Sequence, residues 1–447
     1  MKIKTRFAPS PTGKLHIGNY RTALINYLYA KKYNGSFILR IDDTDTARST
    51  KDYEISIKNE LSHLGLVAEE IFHQSQRLDK YEKVKNKLIE MGRLYECFET
   101  PEELDVKRKF LLASGKPPIY DRAGLNLTDQ EKEKYRKTRR PHFRFKLNNQ
   151  KISWIDLVKG EVKFHAENLS DPILIREDGS MTYMLCSTFD DIEMGITHVI
   201  RGEDHVSNTA IQMQLFDALG AKAPNFGHLS LVKSKEDKIS KRTGGYDLES
   251  LRKNKCIEPM TINSFFANIG SSLAVIAYTN MNELIDNFDI TKFSQSPTIY
   301  LETELDTLNH KLLIKLKFNQ VKDRLKEMGL EEVDEYFWET IKPNINTLKD
   351  SKIWWNICYN PETFKADQED KEFLKLAINL LPEGTINEDS WKIWTDKLKQ
   401  ATQRKGKKLY MPLRLAITGI NSGPELHNLL PLIGREKIIA RLKNSVN

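Results

Sequence analysis

The sequence has no long hydrophobic run and few cysteines, and each absence excludes a class of protein. No stretch of about 18 uninterrupted apolar residues occurs, so we expect no transmembrane helix. The first residues alternate like a strand and lack the apolar core of a signal peptide, so we expect a cytoplasmic protein. None of the four cysteines forms a Cys-x-x-Cys pair, which argues against a disulfide framework and a cysteine-rich zinc site.

The rest of the composition is that of a large globular protein with unevenly distributed charge. Its 447 residues, 39% hydrophobic and 29% charged, fit about two to four domains. The net charge of +7 is modest, but residues 130–146 hold eight lysines and arginines against two acids. Residues 401–447 hold nine against two. Two separated basic tracts suit a polyanion long enough to touch both, although each tract alone is as compatible with a solvated helix face.

The order of the residue patterns predicts an α/β protein with an insertion and a helical C-terminal region. Alternation in residues 2–8, a helix from about 18 to 33 and an apolar run at 37–41 predict a buried parallel sheet. After Gly92 the pattern changes, and a capping box at residues 100–103 precedes a segment of short predicted strands. The α/β pattern then returns, with strands expected at 197–200 and 229–232. From about residue 305 the chain favours helices.

A rigid loop that leads into a helix gives the first candidate site. Residues 9–13 read Pro-Ser-Pro-Thr-Gly, which excludes regular structure, and a helix is predicted shortly after them. The N–H groups and the positive end of such a helix point at an anion. There His16 can donate a hydrogen bond to a phosphate, and Gly18 lets a planar ring lie against the backbone. On its own, a histidine near a helix start is usually a capping or packing residue.

A cationic loop much later in the chain gives the second candidate site. Lys238, Ser240, Lys241 and Arg242 lie in the sequence Lys-Ile-Ser-Lys-Arg, which two glycines follow closely. Such a loop can close over a polyphosphate and neutralise charge that develops at phosphorus. Alone, the same pentapeptide is more often an exposed basic loop.

Together the two segments resemble the signature motifs of the class I aminoacyl-tRNA synthetases. Residues 16–18 are similar to their His-Ile-Gly-His motif, and residues 238–242 to their Lys-Met-Ser-Lys-Ser loop. Flanking stretches narrow the resemblance to the glutamyl-tRNA synthetase family, in its bacterial, alphaproteobacterial-like form. These stretches are RFAPSPTG at 6–13, LRIDDTD at 39–45, VIRGEDH at 199–205 and MPLRLAITG at 411–419. The resemblance therefore covers essentially the whole chain.

The resemblance implies an α/β fold class with a divided catalytic domain. We expect a Rossmann-like parallel-sheet catalytic domain at residues 1–92 and 183–242, with an inserted α+β domain at 93–182 that holds the tRNA acceptor end. A small connecting module at 243–305 would touch the stem, and an all-α region at 306–447 would bind the anticodon. In that region Trp354 and Trp355 suit base stacking, but paired tryptophans in a helical bundle are more often core residues.

The resemblance also implies an amino-acid site. It carries glutamate binding onto Arg6, Ala8, Ser10, Asp42, Tyr183 and Arg201. A guanidinium fork suits a carboxylate side chain, whereas the ionised Asp42 suits an α-ammonium group. Many relatives have glutamate at this position, so the shorter Asp42 can require a bridging water. An alternative for the arginines is structural pairing with acids such as Asp43 or Asp45, which, with Arg48, we otherwise expect to hold the loop.

The implied chemistry is ATP-dependent ligation. The α-carboxylate of glutamate is already ionised at neutral pH, so its attack on ATP needs no general base. Catalysis is expected from His16, Gly18, Lys238 and Lys241, with Mg²⁺ on the phosphates. The residues expected to bind ATP are His16, Gly18, Asn19, Lys238, Ser240, Lys241 and Arg242. Transfer to the 2′-hydroxyl of the terminal adenosine of tRNA is implied by the class I resemblance alone.

Two further predictions, on zinc and on the choice of tRNA, depend on residues in which this sequence differs from some relatives. Some relatives hold zinc in the insertion with Cys-x-Cys and later ligands, but Cys97 is the single thiol here, so we predict no structural zinc. The expected partners are glutamate, ATP and tRNA(Glu), with tRNA(Gln) as an open alternative, and we expect a monomeric enzyme. Relatives that discriminate between the two tRNAs can carry arginine near the position of Asn344. No room remains for a hydrolytic editing domain.

Four alternatives are open, and three of them differ from a glutamate-specific synthetase in the region that follows the catalytic part. An enzyme that glutamylates a tRNA base would end near the catalytic domain, and a glutaminyl-tRNA synthetase would end in β-barrels. A catalytically inactive tRNA-binding relative would not need His16, Gly18, Lys238 and Lys241. A small-molecule adenylate-forming ligase would not need a long helical C-terminal region. The sequence therefore favours the glutamate-specific synthetase.

Overall fold

The computed structural model describes residues 2–234, 248–360 and 365–446. The contacts between residues divide the chain into two units. Unit 1 comprises Met1–Leu251 and Ile262–Leu301, and unit 2 comprises Arg252–Thr261 and Glu302–Asn447. Among the described residues, every helix is too short or too polar to cross a lipid bilayer.

The described strands belong to five sheets. They are β1 Lys4–Phe7, β2 Ser36–Ile41, β3 Glu70–His73, β4 Leu94–Cys97, β5 His142–Phe145, β6 Lys151–Asp156, β7 Gly160–His165, β8 Ile173–Ile175, β9 His198–Gly202, β10 Asn225–Leu229, β11 Val232–Ser234 and β12 Thr298–Tyr300. The strand predicted at 229–232 is wrong, because the chain leaves β10 at Leu229 and starts β11 at Val232.

The described helices alternate with the strands in the first part of the chain and are continuous in the last part. They are α1 Ile17–Lys32, α2 Lys51–His63, α3 Leu78–Glu90, α4 Pro101–Ala113, α5 Asp129–Arg136, α6 Tyr183–Glu193, α7 Val206–Ala218, α8 Leu248–Lys253, α9 Pro259–Asn268, α10 Met281–Asn287, α11 Glu302–Lys315, α12 Phe318–Glu327, α13 Glu335–Ile341, α14 Ser351–Tyr359, α15 Gln368–Leu380, α16 Glu388–Thr402, α17 Lys407–Thr418, α18 Leu426–Ile433 and α19 Arg435–Val446.

Parallel strands form the centre of unit 1. Strand β2 lies between β1 and β3, and β9 pairs with β10, all in parallel. A hydrogen bond of 3.0 Å from the N–H of Thr197 to the C=O of Lys4 connects β9 to β1. The two parallel sheets therefore adjoin at β1 and β9, in the spatial order β3-β2-β1 followed by β9-β10, and the order reverses between β1 and β9. In sheets of this kind, ligands bind beyond the carboxyl ends of the strands at such a reversal.

The burial of β2 explains why it occupies the middle of the sheet. Five of its six residues, Phe37 to Ile41, are buried, and four of them are apolar, as a strand covered on both faces requires. Arg40 is the exception, since it is fully buried within this apolar run. A buried guanidinium is tolerated only when acids or other acceptors surround it, so Arg40 marks a polar network.

The inserted segment has its own antiparallel strands but shares a core with the parallel sheet. Strands β4, β5 and β8 form one antiparallel sheet, and β6 and β7 form a hairpin. On the hairpin, Ile152 and Trp154 pack in the same cluster as Ile38 of β2 and Val199 of β9. Helix α4 starts at the predicted capping box, in which the side chains of Thr100 and Glu103 bond to each other's backbone N–H.

Unit 2 is helical throughout its described residues and contains no strand there. Its interior includes Trp338 and Trp394, which are fully buried, and Trp354, which is 5% exposed. Trp355 is half-buried and donates its indole N–H to the C=O of Glu331 at 3.0 Å. The packing of Trp354 fits the expectation that the paired tryptophans are core residues. A helical end differs from the β-barrels expected of a glutaminyl-tRNA synthetase.

Candidate active site

A cavity of about 780 Å³ opens at the carboxyl ends of the parallel strands, where the strand order reverses. Segments after β1, β9 and β10 and the first turn of α1 form its wall. It is lined by Arg6, Phe7, Ala8, Pro9, Ser10, Thr12, His16, Ile17, Gly18, Asn19, Arg21, Thr22, Asp42, Tyr183, Arg201, Gly202, Asp204, His205, Leu229, Ser230, Leu231 and Val232. A volume of this size is typical of a small-molecule site.

The loop after β1 accepts two backbone hydrogen bonds from residues 42 and 50, which follow β2. The N–H of Asp42 donates to the C=O of Pro9 at 3.0 Å, and the N–H of Thr50 donates to the C=O of Pro11 at 3.0 Å. The two prolines fix their own backbone angles, so few conformations remain to the loop. The start of α1 therefore has a fixed position at the cavity.

His16 caps α1 and faces the cavity. Its Nδ1 accepts the N–H of Asn19 at 3.4 Å. Partial burial lowers the pKa of His16 below its usual value, so the ring is neutral at pH 7. A neutral ring whose Nδ1 accepts carries its proton on Nε2, which can donate to an anion in the cavity. A Cβ added at Gly18 would lie 3.3 Å from the His16 ring, so glycine gives this ring its space.

A buried ion network underlies one side of the cavity. Asp191 accepts Arg6 Nε at 3.1 Å and Arg40 Nη1 at 2.8 Å through the same oxygen, Oδ1. Arg40 also donates to both oxygens of Asp42, at 2.7 and 3.2 Å. Asp190 lies 3.7 Å from Arg40 Nε and accepts Arg77 at 2.7 Å. Each acid therefore faces at least one guanidinium, which offsets the cost of burying it.

Asp42 is the acid of this network that lines the cavity. Burial raises its pKa to about 6, although Arg40 acts in the opposite direction. The carboxylate is therefore ionised at neutral pH but gains its proton in mildly acidic solution. Arg40 occupies one lone pair on each oxygen, and the other lone pairs can accept a cationic group.

Arg201 differs from Arg6 and Arg40 because, among the described residues, no carboxylate lies within ion-pair distance of it. It is 5% exposed, and its partners are neutral. Nη2 donates to Thr209 Oγ1 and Gln212 Oε1, both at 2.6 Å, Nη1 donates to the Tyr183 hydroxyl at 3.2 Å, and Nε donates to His228 Nε2 at 3.4 Å. Burial lowers the pKa of Arg201, but the group stays cationic at neutral pH.

The number of guanidinium N–H groups that already have acceptors shows which part of Arg201 is available to a ligand. A guanidinium has five N–H groups, and four of them have the acceptors named above. The remaining one is on Nη1, beside the hydroxyl of Tyr183, which can donate as well. These two donors offer a carboxylate two hydrogen bonds from two different residues, both of which the sequence analysis places among the glutamate-binding residues.

The cavity brings together every predicted site residue that the structure describes. These residues are Arg6, Ala8, Ser10, His16, Gly18, Asn19, Asp42, Tyr183 and Arg201. Lys238, Ser240, Lys241 and Arg242 lie outside the described residues. The residues predicted to hold the loop, Asp43, Asp45 and Arg48, are not among the cavity-lining residues. Asp43 accepts the N–H and the hydroxyl of Ser75 at 2.8 and 2.7 Å, and Asp45 pairs with Arg48. Arg6 pairs with Asp191 and not with these acids.

The residues that support the cavity-lining residues through buried ion pairs and hydrogen bonds were not predicted from the sequence. Arg40, Asp190 and Asp191 form the ion network, and Arg21 lines the cavity and donates to the C=O of Ser230 at 2.9 Å. The sequence does contain one sign of this network, which is the position of Arg40 inside the apolar run of β2. The pairing of Asp191 with Arg6 was not predictable, because the two residues lie far apart in sequence.

One group of possible metal ligands lies outside the cavity. Cys97, Glu99 and His142 offer ligand atoms within 4.8 Å of one another, and His142 was not predicted from the sequence. Glu99 already accepts Lys107 at 3.3 Å and Tyr120 at 3.0 Å. Burial raises the pKa of Cys97 to about 11, which disfavours the thiolate that zinc requires. The absence of structural zinc stays a prediction.

Known proteins resemble the chain over its whole length. The family model for the catalytic domain of class I tRNA synthetases (E and Q) matches residues 2–307, and an anticodon binding domain model matches 307–446. Glutamate–tRNA ligase 1 of Rickettsia conorii is 56% identical over 445 residues, 99% of this chain and 100% of that protein. The ligase 1 of Rickettsia akari is 55% identical with the same coverage. A crystal structure of a glutamate tRNA ligase from Elizabethkingia meningosepticum with its amino acid has a TM-score of 0.85 at 29% identity, covering 100% and 99% of the two chains.

Removal of the shared acid of the ion network should destabilise the fold. Asp191→Asn leaves two buried guanidinium groups without their common carboxylate, so we expect a loss of about 3–5 kcal/mol in the free energy of unfolding. Urea unfolding followed by circular dichroism measures it. The control is Asp45→Asn, which removes an acid whose side chain is 39% exposed and should change stability little. Equal effects of the two variants would contradict a structural role for the network.

Proposed function

The chain belongs to the class I tRNA synthetases of the glutamate and glutamine type, and we propose that it is an ATP-dependent ligase that joins L-glutamate to tRNA(Glu). The resemblance found in the sequence is confirmed by the family match and by relatives with this activity in their names. The reaction activates glutamate with ATP to glutamyl-adenylate and pyrophosphate, and then transfers glutamate to the 3′-terminal adenosine of the tRNA.

A single observation carries the choice of glutamate: Arg201 is a buried cation without an acidic partner among the described residues, at the wall of the cavity. A ligand carboxylate would complete its environment, accepting from Nη1 and from the Tyr183 hydroxyl. Arg6 adds a second guanidinium, and Asp42 offers a carboxylate to the α-ammonium group. Glutamine has the same length but no charge, so it would leave Arg201 uncompensated, which gives discrimination without an editing domain.

We assign the nucleotide to the part of the cavity beside the start of α1. The neutral His16 ring would donate from Nε2 to a phosphate oxygen, with the N–H groups of the first turn alongside. The α-carboxylate of glutamate attacks the α-phosphorus and pyrophosphate leaves, so no side chain needs to accept a proton. Lys238 and Lys241, assigned from the sequence motif, and Mg²⁺ bound to the phosphates would stabilise the charge on the departing pyrophosphate.

We assign the tRNA to the regions beyond the catalytic part. The insertion at 93–182 would hold the acceptor end, residues 243–305 would touch the stem, and residues 306–447 would bind the anticodon. In the first basic tract, Arg136 pairs with Glu96 and Arg139 with Glu103, while Lys134, Lys137 and Arg140 are exposed. Exposed lysines and arginines suit contacts to phosphate, which position the tRNA without reading its sequence.

The choice between tRNA(Glu) and tRNA(Gln) is a second question. Asn344, the position where discriminating relatives can carry arginine, is exposed in the turn that follows α13. An asparagine there lacks the charge that would reject one anticodon, which favours relaxed tRNA choice. Charging of each purified tRNA in parallel tests it, and no glutamylation of tRNA(Gln) would reject it.

The proposed activity is tested by two assays on the purified protein. Glutamate-dependent exchange of pyrophosphate into ATP, with and without tRNA(Glu), reports activation, and radioactive glutamate on tRNA reports transfer. We expect both activities with glutamate, and neither with glutamine. Binding of tRNA without exchange or transfer would identify an inactive relative, and glutamylation of a tRNA base would identify a modifying enzyme.

Loss of Arg201 should impair the use of glutamate in particular. For Arg201→Ala we expect kcat/KM for glutamate to fall by roughly 30-fold to several thousandfold, which corresponds to about 2–5 kcal/mol for a lost buried charge partner. Steady-state exchange kinetics measure it, and the KM for ATP should change little. Arg48→Ala is the control, since Arg48 is exposed and lies outside the cavity lining. A decrease below tenfold for Arg201→Ala would reject its role.

Glutamate binding should weaken as the pH falls through about 6. Asp42 has a pKa raised from its ordinary value to about 6 in the free protein, so below that pH it is protonated and no longer attracts the α-ammonium group. The side chain of glutamate itself titrates lower, at about 4.3. Calorimetric titration between pH 5 and 8 measures the dissociation constant.

The matched variant separates Asp42 from other groups that titrate near the cavity. In Asp42→Asn, glutamate should bind weakly at every pH, and the weakening through pH 6 should disappear. Persistence of the same pH dependence in this variant would assign it to another group, such as His16 or His205, whose pKa values burial lowers.

A further inference from the structure

Asp156 lies at the end of the inserted hairpin strand β6, where it faces the catalytic sheet. Its Oδ1 accepts the N–H groups of Val158, Lys159 and His228, each at 3.0 Å. Its Oδ2 lies 2.5 Å from His228 Nδ1, and both side chains are completely buried. Sequence motifs gave neither residue a role.

The chemistry of this pair fixes which nitrogen of His228 carries the proton. Although burial alone raises it, hydrogen bonds from His228 and from the N–H groups of Lys159 and Val158 hold the pKa of Asp156 at about 2. Burial lowers the pKa of His228, so its ring is neutral. An ionised carboxylate can only accept, so Nδ1 of the neutral ring must donate to it. Nε2 is then left as an acceptor.

His228 Nε2 faces both Arg201 and the Thr209 hydroxyl that accepts a hydrogen bond from Arg201. Arg201 and His228 are register partners on the adjacent strands β9 and β10. Nε2 lies 2.9 Å from Thr209 Oγ1 and 3.4 Å from Arg201 Nε, and Thr209 Oγ1 accepts Arg201 Nη2 at 2.6 Å. Asp156 thus accepts from His228, His228 accepts from the Thr209 hydroxyl, and Thr209 accepts from the Arg201 guanidinium.

The opposite tautomer of His228 would disrupt this arrangement. A proton on Nε2 would face the N–H of Arg201 Nε, and two donors 3.4 Å apart repel each other. A doubly protonated ring would add a second positive charge beside the buried guanidinium. The carboxylate on the insertion excludes the opposite tautomer, whereas burial and the positive charge of Arg201 disfavour the doubly protonated ring. Nε and Nη2 of Arg201 therefore keep their acceptors, and one N–H of Nη1 is left for a ligand.

We propose that Asp156 is a positioning residue for amino-acid recognition: through His228 and Thr209 it fixes the edge that Arg201 presents to the substrate carboxylate. This rests on the proposed function, in which Arg201 binds the side-chain carboxylate of glutamate. It assigns a role in substrate specificity to the inserted segment, which is otherwise expected to hold the tRNA.

The main test is Asp156→Asn, which keeps the size of the side chain but presents an N–H to His228 Nδ1 and so forces the proton onto Nε2. We expect the dissociation constant for glutamate, measured by calorimetry without tRNA, to rise roughly tenfold or more, as for a lost hydrogen bond to a charged group. The dissociation constant for ATP should stay within about twofold, because the hydrogen bond described for the His16 side chain is to Asn19 and to no residue of this chain of hydrogen bonds.

A matched control separates positioning from a general loss of packing. Asp171 is also a buried aspartate of the insertion, and its side chain accepts the N–H of Leu147 at 3.0 Å, the Tyr95 hydroxyl at 2.8 Å and Arg122 at 2.9 Å. None of these partners belongs to the chain of hydrogen bonds that leads from Asp156 to Arg201. Asp171→Asn should leave glutamate affinity unchanged even if it lowers stability. Equal weakening of glutamate binding by both variants, or equal loss of ATP and glutamate affinity in Asp156→Asn, would overturn the proposal.

A double-mutant cycle tests whether Asp156 acts through His228. His228→Asn places an amide near Nδ1, which can still donate to Asp156, but nothing near Nε2. If the two residues act in one chain, the double variant should bind glutamate no more weakly than the weaker single variant. Effects that multiply would show independent roles and overturn the proposal.

The unmodified protein provides a direct readout of the tautomer of His228. In ¹⁵N–¹H spectra of histidine-labelled protein, with His228→Asn used for assignment, His228 should carry its proton on Nδ1. A proton on Nε2 would overturn the proposal. If the unmodified protein binds no glutamate, the proposed function and this role fail together; if it binds glutamate and Asp156→Asn binds it equally well, only this role fails.

Discussion

Arg201 is a buried cation at the cavity wall that has no acid within ion-pair distance among the described residues, and it sets the chemistry of the cavity. Three guanidinium groups of the buried network, those of Arg6, Arg40 and Arg77, are balanced by Asp42, Asp190 and Asp191, so the network is close to neutral. Arg21, which also lines the cavity, donates to the backbone carbonyls of Ser230 and Ile269. Arg201 is surrounded by a threonine, a glutamine, a tyrosine and a neutral histidine. These dipoles solvate the charge without neutralising it, and a buried charge of this kind gains most from a ligand of opposite sign.

The sheet order determines why these groups meet. Arg6 lies near the end of β1, Asp42 follows β2 and Arg201 lies near the end of β9, so three parallel strands deliver three charged residues to the same edge. The order of the strands reverses between β1 and β9, and in sheets of this kind a ligand cleft lies beyond the carboxyl ends of the strands at such a reversal. The short rigid loop after β1 then places the start of α1, with His16, at the other side of the cleft. Position in the sheet, more than local sequence, therefore explains the composition of the site.

Much of the site could be predicted from sequence because its ligand-facing residues lie in short, continuous motifs. Arg6, Ser10, His16, Asp42 and Arg201 are of this kind, whereas Tyr183 was expected from the family resemblance alone. The helices and most strands also follow local periodicity. The strand at 229–232 was misplaced because Leu229 and Val232 are apolar residues that belong to two different strands. Asp191 and His228 escaped prediction because their roles depend on pairing across the fold, with Arg6 and with Asp156, and no spacing in one sequence encodes that pairing.

The shared core of the β6–β7 hairpin has a practical meaning for anyone who wishes to shorten the enzyme. Deleting the whole insertion looks feasible on a diagram of the chain, since the flanking α/β halves could be joined directly. Such a fragment would lose Ile152 and Trp154 from the cluster under the parallel sheet, and with them the carboxylate that orients His228. A shortened catalytic fragment should therefore keep residues 151–165. It should also keep β4, β5 and β8, because Leu94, Phe145 and Leu174 of these strands share a second core cluster with Leu88 and Leu185 of the catalytic half.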